Sequence, residues 1–216
     1  MRRALLVVWV VVALTGCDSS DRGKSAEKKI PTSPSQSELP EECTRVVDRY
    51  VTFYQSDEFE KMVALYDIDG LREFKTAIAE IAVDAQQDGK LGAFCNGMWG
   101  RTYQLSEIHN MTPEAMLVGL LKHKNSARPA GFTASLGTVK YTTEDVVTLN
   151  EATKQATLRF AGEDVHGKAF EFKENVVIIL RNGQWRLSVD NMVAAMRQHR
   201  AAIHMKKATL QRQQGR

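Results

Sequence analysis

Residues 176–190 read Val-Val-Ile-Ile-Leu-Arg-Asn-Gly-Gln-Trp-Arg-Leu-Ser-Val-Asp, and this stretch decides the fold class. Asn182-Gly183 suits a two-residue type I′ turn, because both central positions of that turn need φ > 0. So short a turn fixes the register. Leu180 then faces Trp185, Ile178 faces Leu187 and Val176 faces Val189, all on one side of the hairpin. Val177 and Ile179 make the opposite side apolar too, which predicts a strand covered on both faces.

Working outward, the strand Lys168–Leu180 pairs back across 162–167 with Gln155–Ala161, setting Leu158 and Phe160 beside Phe170 and Phe172 on the inner face. Thr133–Tyr141 and Asp145–Leu149 read as weaker strands. Ahead of Pro129 the apolar period becomes helical. Pro40 opens a first helix with acids Glu41 and Glu42 near its positive end, and Cys43, Val46, Val47, Tyr50, Phe53 and Tyr54 form its apolar stripe. A second helix is expected from Asp57, boxed by Glu60 and ended by Asp69-Gly70. A third carries Leu71, Phe74, Ile78, Ile81 and Ala85 and stops at Asp88-Gly89. Residues from Phe94 to Tyr103 read as irregular, and Thr112-Pro113-Glu114 opens a fourth helix. Beyond the hairpin a last helix runs from about Met192 to Gln211.

Helices followed by an antiparallel meander predict an α+β domain: N-terminal helices packed on one face of a curved antiparallel sheet, plus a C-terminal helix. This order of elements and the closing hairpin over 176–190 resemble the nuclear transport factor 2-like superfamily of cone-shaped α+β domains. The resemblance covers about residues 40–190. It implies a cone whose open end holds a small apolar ligand or a partner segment. An added stretch near 91–125 and the helix after the last strand depart from the family pattern.

At the other end, Arg2 and Arg3 precede the eleven-residue apolar run Ala4–Leu14, too short for the roughly 20 residues that span a bilayer. The run ends in Leu14-Thr15-Gly16-Cys17, which resembles the lipobox of bacterial lipoproteins. That resemblance implies removal of residues 1–16 and diacylglyceryl attachment at Cys17, the competing reading being an ordinary signal peptide. It places the chain on the periplasmic side of the bacterial envelope. Asp18 after the lipidated Cys resembles the signal that retains lipoproteins in the inner membrane, with the outer membrane as the alternative. Residues 17–39 are rich in Ser, Lys, Pro and Glu and read as a tether. As a coil it spans roughly 25 Å.

The chain carries 29 basic and 26 acidic residues; loss of Arg2 and Arg3 leaves a formal +1, which argues against nucleic-acid binding. Cys43 and Cys95 remain as an even pair in an oxidising compartment, which leaves open a disulfide worth roughly 3–4 kcal/mol or two buried thiols. The segment 191–216 is basic: Arg197, Arg200, Lys206, Lys207, Arg212 and Arg216 occur without an acid from 197 onward. These cations either finish a solvated helix or touch anionic headgroups beside the anchor.

No metal, nucleophile or phosphate-loop motif is present, so neither a cofactor nor a metal is expected. Asp67-Ile68-Asp69-Gly70 lacks the later ligands of a calcium loop, and His199 and His204 do not share a helix face as a metal pair. Glu174 shares strand parity with Phe170, Phe172, Val176 and Ile178. An inward carboxylate on an apolar wall would have a raised pKa and act as a base, whereas at the mouth it would be solvated. Enzymes of the resembling superfamily, such as ketosteroid isomerases and polyketide cyclases, place an acid or a His in the cone. Tyr50, Tyr54, Trp99, Phe170, Phe172 and Trp185 are the candidate pocket aromatics, or plain core. The sequence therefore reads as a non-catalytic binding or interaction domain for a small apolar ligand or an envelope protein, as accessory subunit or immunity-type inhibitor. A small cone enzyme and a structural spacer are the alternatives.

Overall fold

The computed structural model of the chain describes residues 39–126, 139–163 and 166–214. Its sheet is a four-stranded antiparallel meander, ordered β1 (Lys140–Asn150), β2 (Thr153–Glu163), β3 (Ala169–Arg181), β4 (Gln184–Leu187). Asn182 and Gly183 have φ of +50° and +74°, as a type I′ turn requires. Ile178 pairs with Leu187 and Leu180 with Trp185 in the expected register. Residues Val176 to Ile179 are at most 8 % exposed, so both faces of β3 are covered there.

Two expectations about the sheet need correction. Strand β4 stops at Leu187; Val189 does not face Val176 but turns into a separate helical core just ahead of the last helix. Asp145–Leu149 is not a strand of its own. It belongs to β1, which starts at Lys140 and bends at irregularities between Thr143 and Asp145 and between Thr148 and Asn150. Residues 133–138 of the first expected strand lie outside the described residues.

Seven helices complete the described chain: α1 (Glu41–Gln55), α2 (Phe59–Val63), α3 (Ile68–Gln87), α4 (Leu91–Trp99), α5 (Leu105–Asn110), α6 (Pro113–Ser126) and α7 (Asp190–Gln214). The domain is thus α+β, with a C-terminal helix. Asp69-Gly70 does not end a helix. It lies in the first turn of α3, where Asp67 Oδ2 accepts the Gly70 N–H at 2.8 Å and serves as N-cap. Asp57 is not a cap either; its φ is +56° and α2 starts two residues later. The stretch expected to be irregular is largely helical. Helix α4 covers Leu91–Trp99 and is closed by Gly100 at φ +69°, and α5 opens with a capping box between Gln104 and Glu107. Thr112 caps α6 as expected, its Oγ1 accepting from the Ala115 N–H at 3.1 Å.

Two apolar cores result. The first lies between the inner sheet face and α1–α2, built from Val47, Tyr54, Met62, Leu158, Phe160 and Ile178 among others. The second is helical, packing Phe74 and Ile78 of α3 with Trp99, Ile108, Leu117 and, from α7, Val193 and Met196. Tyr66, Val118 and Leu121 touch both. Of the two readings left open for Cys43 and Cys95, the structure has the two buried thiols and not the disulfide. Both are free, fully buried thiols, one in each core, so packing rather than a covalent bridge satisfies them.

Candidate functional site

The β2–β3 register sets Glu174 opposite Leu158, on the same side as Phe172 and its partner Phe160. A strand's period of two then carries Glu174 onto the inner face with Phe170, Val176 and Ile178. There the hydroxyl of Tyr50, one helix away on α1, donates to Glu174 Oε1 at 2.7 Å. Glu174 therefore points inward, on an otherwise apolar wall.

Two groups that sequence patterns did not mark join it. Lys124, in the last turn of α6, and Tyr66, between α2 and α3, both feel the Glu174 charge. Burial lowers the pKa of the Lys124 ammonium, which Glu174 partly offsets; burial, with a smaller push from Glu174, raises the Tyr66 phenol. No local signal could have found Lys124. In the chain it is one of the cations that finish a helix, and only the packing of α6 brings it to the sheet.

Around this polar spot the aromatic rings form a continuous series. Tyr50 stacks on Tyr54 at 6.1 Å, Tyr54 meets Phe160 at 6.3 Å, Phe160 stacks on Phe172 at 4.8 Å, and Phe172 on Phe170 at 6.4 Å. Tyr141 adds a ring beside Phe160 and donates to Asp48; burial and that bond push its phenol up to about 12. Burial divides the series: Tyr50, Tyr54 and Phe160 are buried, whereas Phe172 and Phe170 are half-buried, as is Trp185 on the same face. Trp99 does not belong here. It sits in the helical core, its indole N–H donating to the Met116 carbonyl at 3.1 Å and its ring edge-on to Tyr103.

Among the described residues the arrangement presents a carboxylate held by the Tyr50 phenol beside the aromatic strip, and its charge reaches the Lys124 ammonium. It can accept a hydrogen bond from a ligand whose body stacks on the rings, or take a proton. Among the described residues no group of three or more His, Cys, Asp or Glu is placed to hold a metal. Asp67 is a buried helix cap, as its bond to Gly70 requires.

The basic stretch of α7 divides. Arg197 pairs with Glu73 at 3.2 Å, Arg200 with Glu80 and Asp84 at 2.6 and 2.7 Å, and Lys207 with Asp88 at 2.6 Å, all on or just beyond α3. Among the described residues Lys206 and Arg212 make no ion pair and lie exposed. His204 contacts Asp84 at 2.7 Å. No described helix is long and apolar enough to cross a membrane. Neither a protein-family model, nor a curated protein, nor a solved structure matches the chain.

Proposed function

We propose that the chain is a lipid-anchored protein of the bacterial envelope, tethered at Cys17 on the periplasmic side, whose α+β domain binds rather than catalyses. The ligand is a small molecule, or a segment of an envelope partner, that lays an apolar body on the aromatic strip and directs one hydrogen-bond donor at Glu174. What supports this is the burial along that strip, from Tyr50, Tyr54 and Phe160, at most 7 % exposed, to the half-buried Phe172 and Phe170, with the carboxylate of Glu174 held by Tyr50 at its buried end. The leader and Leu14-Thr15-Gly16-Cys17 support the anchor. The order of elements supports kinship with the cone-shaped superfamily.

A second reading, a small enzyme using Glu174 as base, draws on the same inward carboxylate beside Tyr50 and Lys124. One experiment addresses both. A fluorescent apolar probe is titrated into protein lacking residues 1–17, and into Phe172→Ala and Glu174→Gln. The binding reading expects saturable probe binding, weakened about tenfold or more by Phe172→Ala. Absence of saturable binding sinks it. Loss of a turnover in Glu174→Gln with probe binding intact favours the enzyme. The anchor is checked separately: globomycin must cause a precursor to accumulate, and the intact mass must include acyl chains.

A further inference from the structure

A second recess lies away from the aromatic strip, under the tip of the β3–β4 hairpin. It has a volume of about 360 Å³, within the range of small-ligand sites. Val63, Ile68 and Leu71 give it an apolar floor where α2 hands over to α3, and Ile68 is 43 % exposed although its chain neighbour Asp67 is buried. The cations of its lining, Arg181 and Arg186, both come from the hairpin; Glu114 comes from the first turn of α6.

These charges are not spent on one another. Arg186 donates to the Ala64 carbonyl at 3.2 Å and to Gln184 Oε1 at 2.6 Å, so its partners are neutral oxygens that orient the guanidinium and leave its charge unbalanced. Among the described residues neither Arg181 nor Glu114 takes part in an ion pair. By contrast Arg45, Arg72, Arg159, Arg197 and Arg200 all pair with a carboxylate. Asp67 also lines the recess; its Oδ2 accepts from the neutral Gly70 N–H, which fixes this buried carboxylate as the cap of α3 without cancelling its charge. The result is one recess with two guanidiniums from the hairpin, the carboxylate of Glu114 from α6, the buried carboxylate of the capping Asp67, and apolar carbon between.

From this charge pattern we infer that the recess binds a small zwitterion with an apolar side chain, a free amino acid or short peptide. Its carboxylate lies on the planar forks of Arg181 and Arg186, its ammonium at Glu114, and its side chain on Val63, Ile68 and Leu71. The recess shares Tyr66 with the surroundings of Glu174, but no ring of the aromatic strip lines it, so the inference does not depend on a ligand on that strip.

The test is calorimetric titration of protein lacking residues 1–17 with the dipeptide Leu-Leu, its N-acetyl form and its C-terminal amide. The free dipeptide should bind saturably and each capped form at least tenfold more weakly, without displacing the apolar probe. Glu114→Gln should erase the penalty of acetylation and leave that of amidation; Arg181→Gln with Arg186→Gln should do the reverse. No saturable binding at millimolar dipeptide overturns the inference. So does equal binding of free and capped forms, or capping penalties that survive the substitutions. Should a variant not fold, the capped panel on the parent protein alone decides.

Discussion

Gly100 shows how one residue fixes a helix end. It closes α4 at φ +69°, and a Cβ there would lie 2.5 Å from His123 Nδ1 on α6. Alanine is therefore wrong twice over, in backbone and in space. Gly100→Ala should cost about 1–3 kcal/mol, read as a lower urea midpoint at unchanged slope. In a His123→Ala background part of that loss should disappear and the backbone part remain; an equal loss in both backgrounds would show that His123 is not what the new methyl meets. In the sequence Gly100 is only one residue of the stretch from Phe94 to Tyr103 that read as irregular. Its second duty, making room for His123, depends on a helix twenty-odd residues downstream. Glu174 is the converse case. Strand parity left it either inward or solvated at the mouth, and the structure sets it on the inner face; its bond to Tyr50 and its electrostatic reach to Lys124 could not be read from spacing, because those residues arrive on two different helices.

Helices α3 and α7 run side by side in the same direction, joined by a ladder in which Arg200 reaches Glu80 and Asp84 while His204 also touches Asp84. Exposed rungs such as Arg197–Glu73 contribute little. The Asp84 rung is less exposed, at 17 %, and the Arg200 hydrogen bond, then His204, holds its carboxyl below the usual value. A carboxylate depressed in the folded state stabilises above its unfolded pKa, near 4, and that stability fades as pH falls through the folded value. Asp84→Asn should therefore cost about 1 kcal/mol at pH 7. The loss should shrink as pH drops below about 4, where the parent's own Asp84 takes up a proton. Thermal melting from pH 7 to pH 2.5 checks this; a difference between parent and variant that stays constant to the lowest pH would assign Asp84 no role in holding α7. The sequence showed six basic residues and no acid in the tail. That the acids they need line α3, more than a hundred positions earlier, is a fact of packing.

Across the whole molecule the chain builds two cores, one between helices and sheet and one among helices alone. The stretch near 91–125 and the final helix, the two departures from the cone-like pattern, both pack on α3, and with it they bury Trp99, Ile108, Leu117, Val193 and Met196. One buried thiol falls in each core, and burial pushes Cys43 up to about 11 and raises Cys95 as well. Folded protein lacking residues 1–17 should resist iodoacetamide at pH 8, and unfolding without reductant should add two labels per chain by mass. Labels that appear only after reduction would restore the bridge and require the cores to lie differently.

The sequence by itself determined the type I′ hairpin at Asn182-Gly183, the register of Ile178 and Leu180, the strand parity that Glu174 shares with Phe170 and Phe172, the cap at Thr112 and the start of α1 beside Pro40. Each of these depends on dihedral preference or periodicity over a few residues, which neighbours along the chain already encode. Tertiary structure alone decided that Cys43 and Cys95 stay apart, that Trp99 packs with helices rather than with the sheet, that Gly70 opens a helix instead of ending one, and that Lys124 stands near a carboxylate. Those outcomes depend on which surfaces meet, and burial acts between residues brought together from anywhere in the chain.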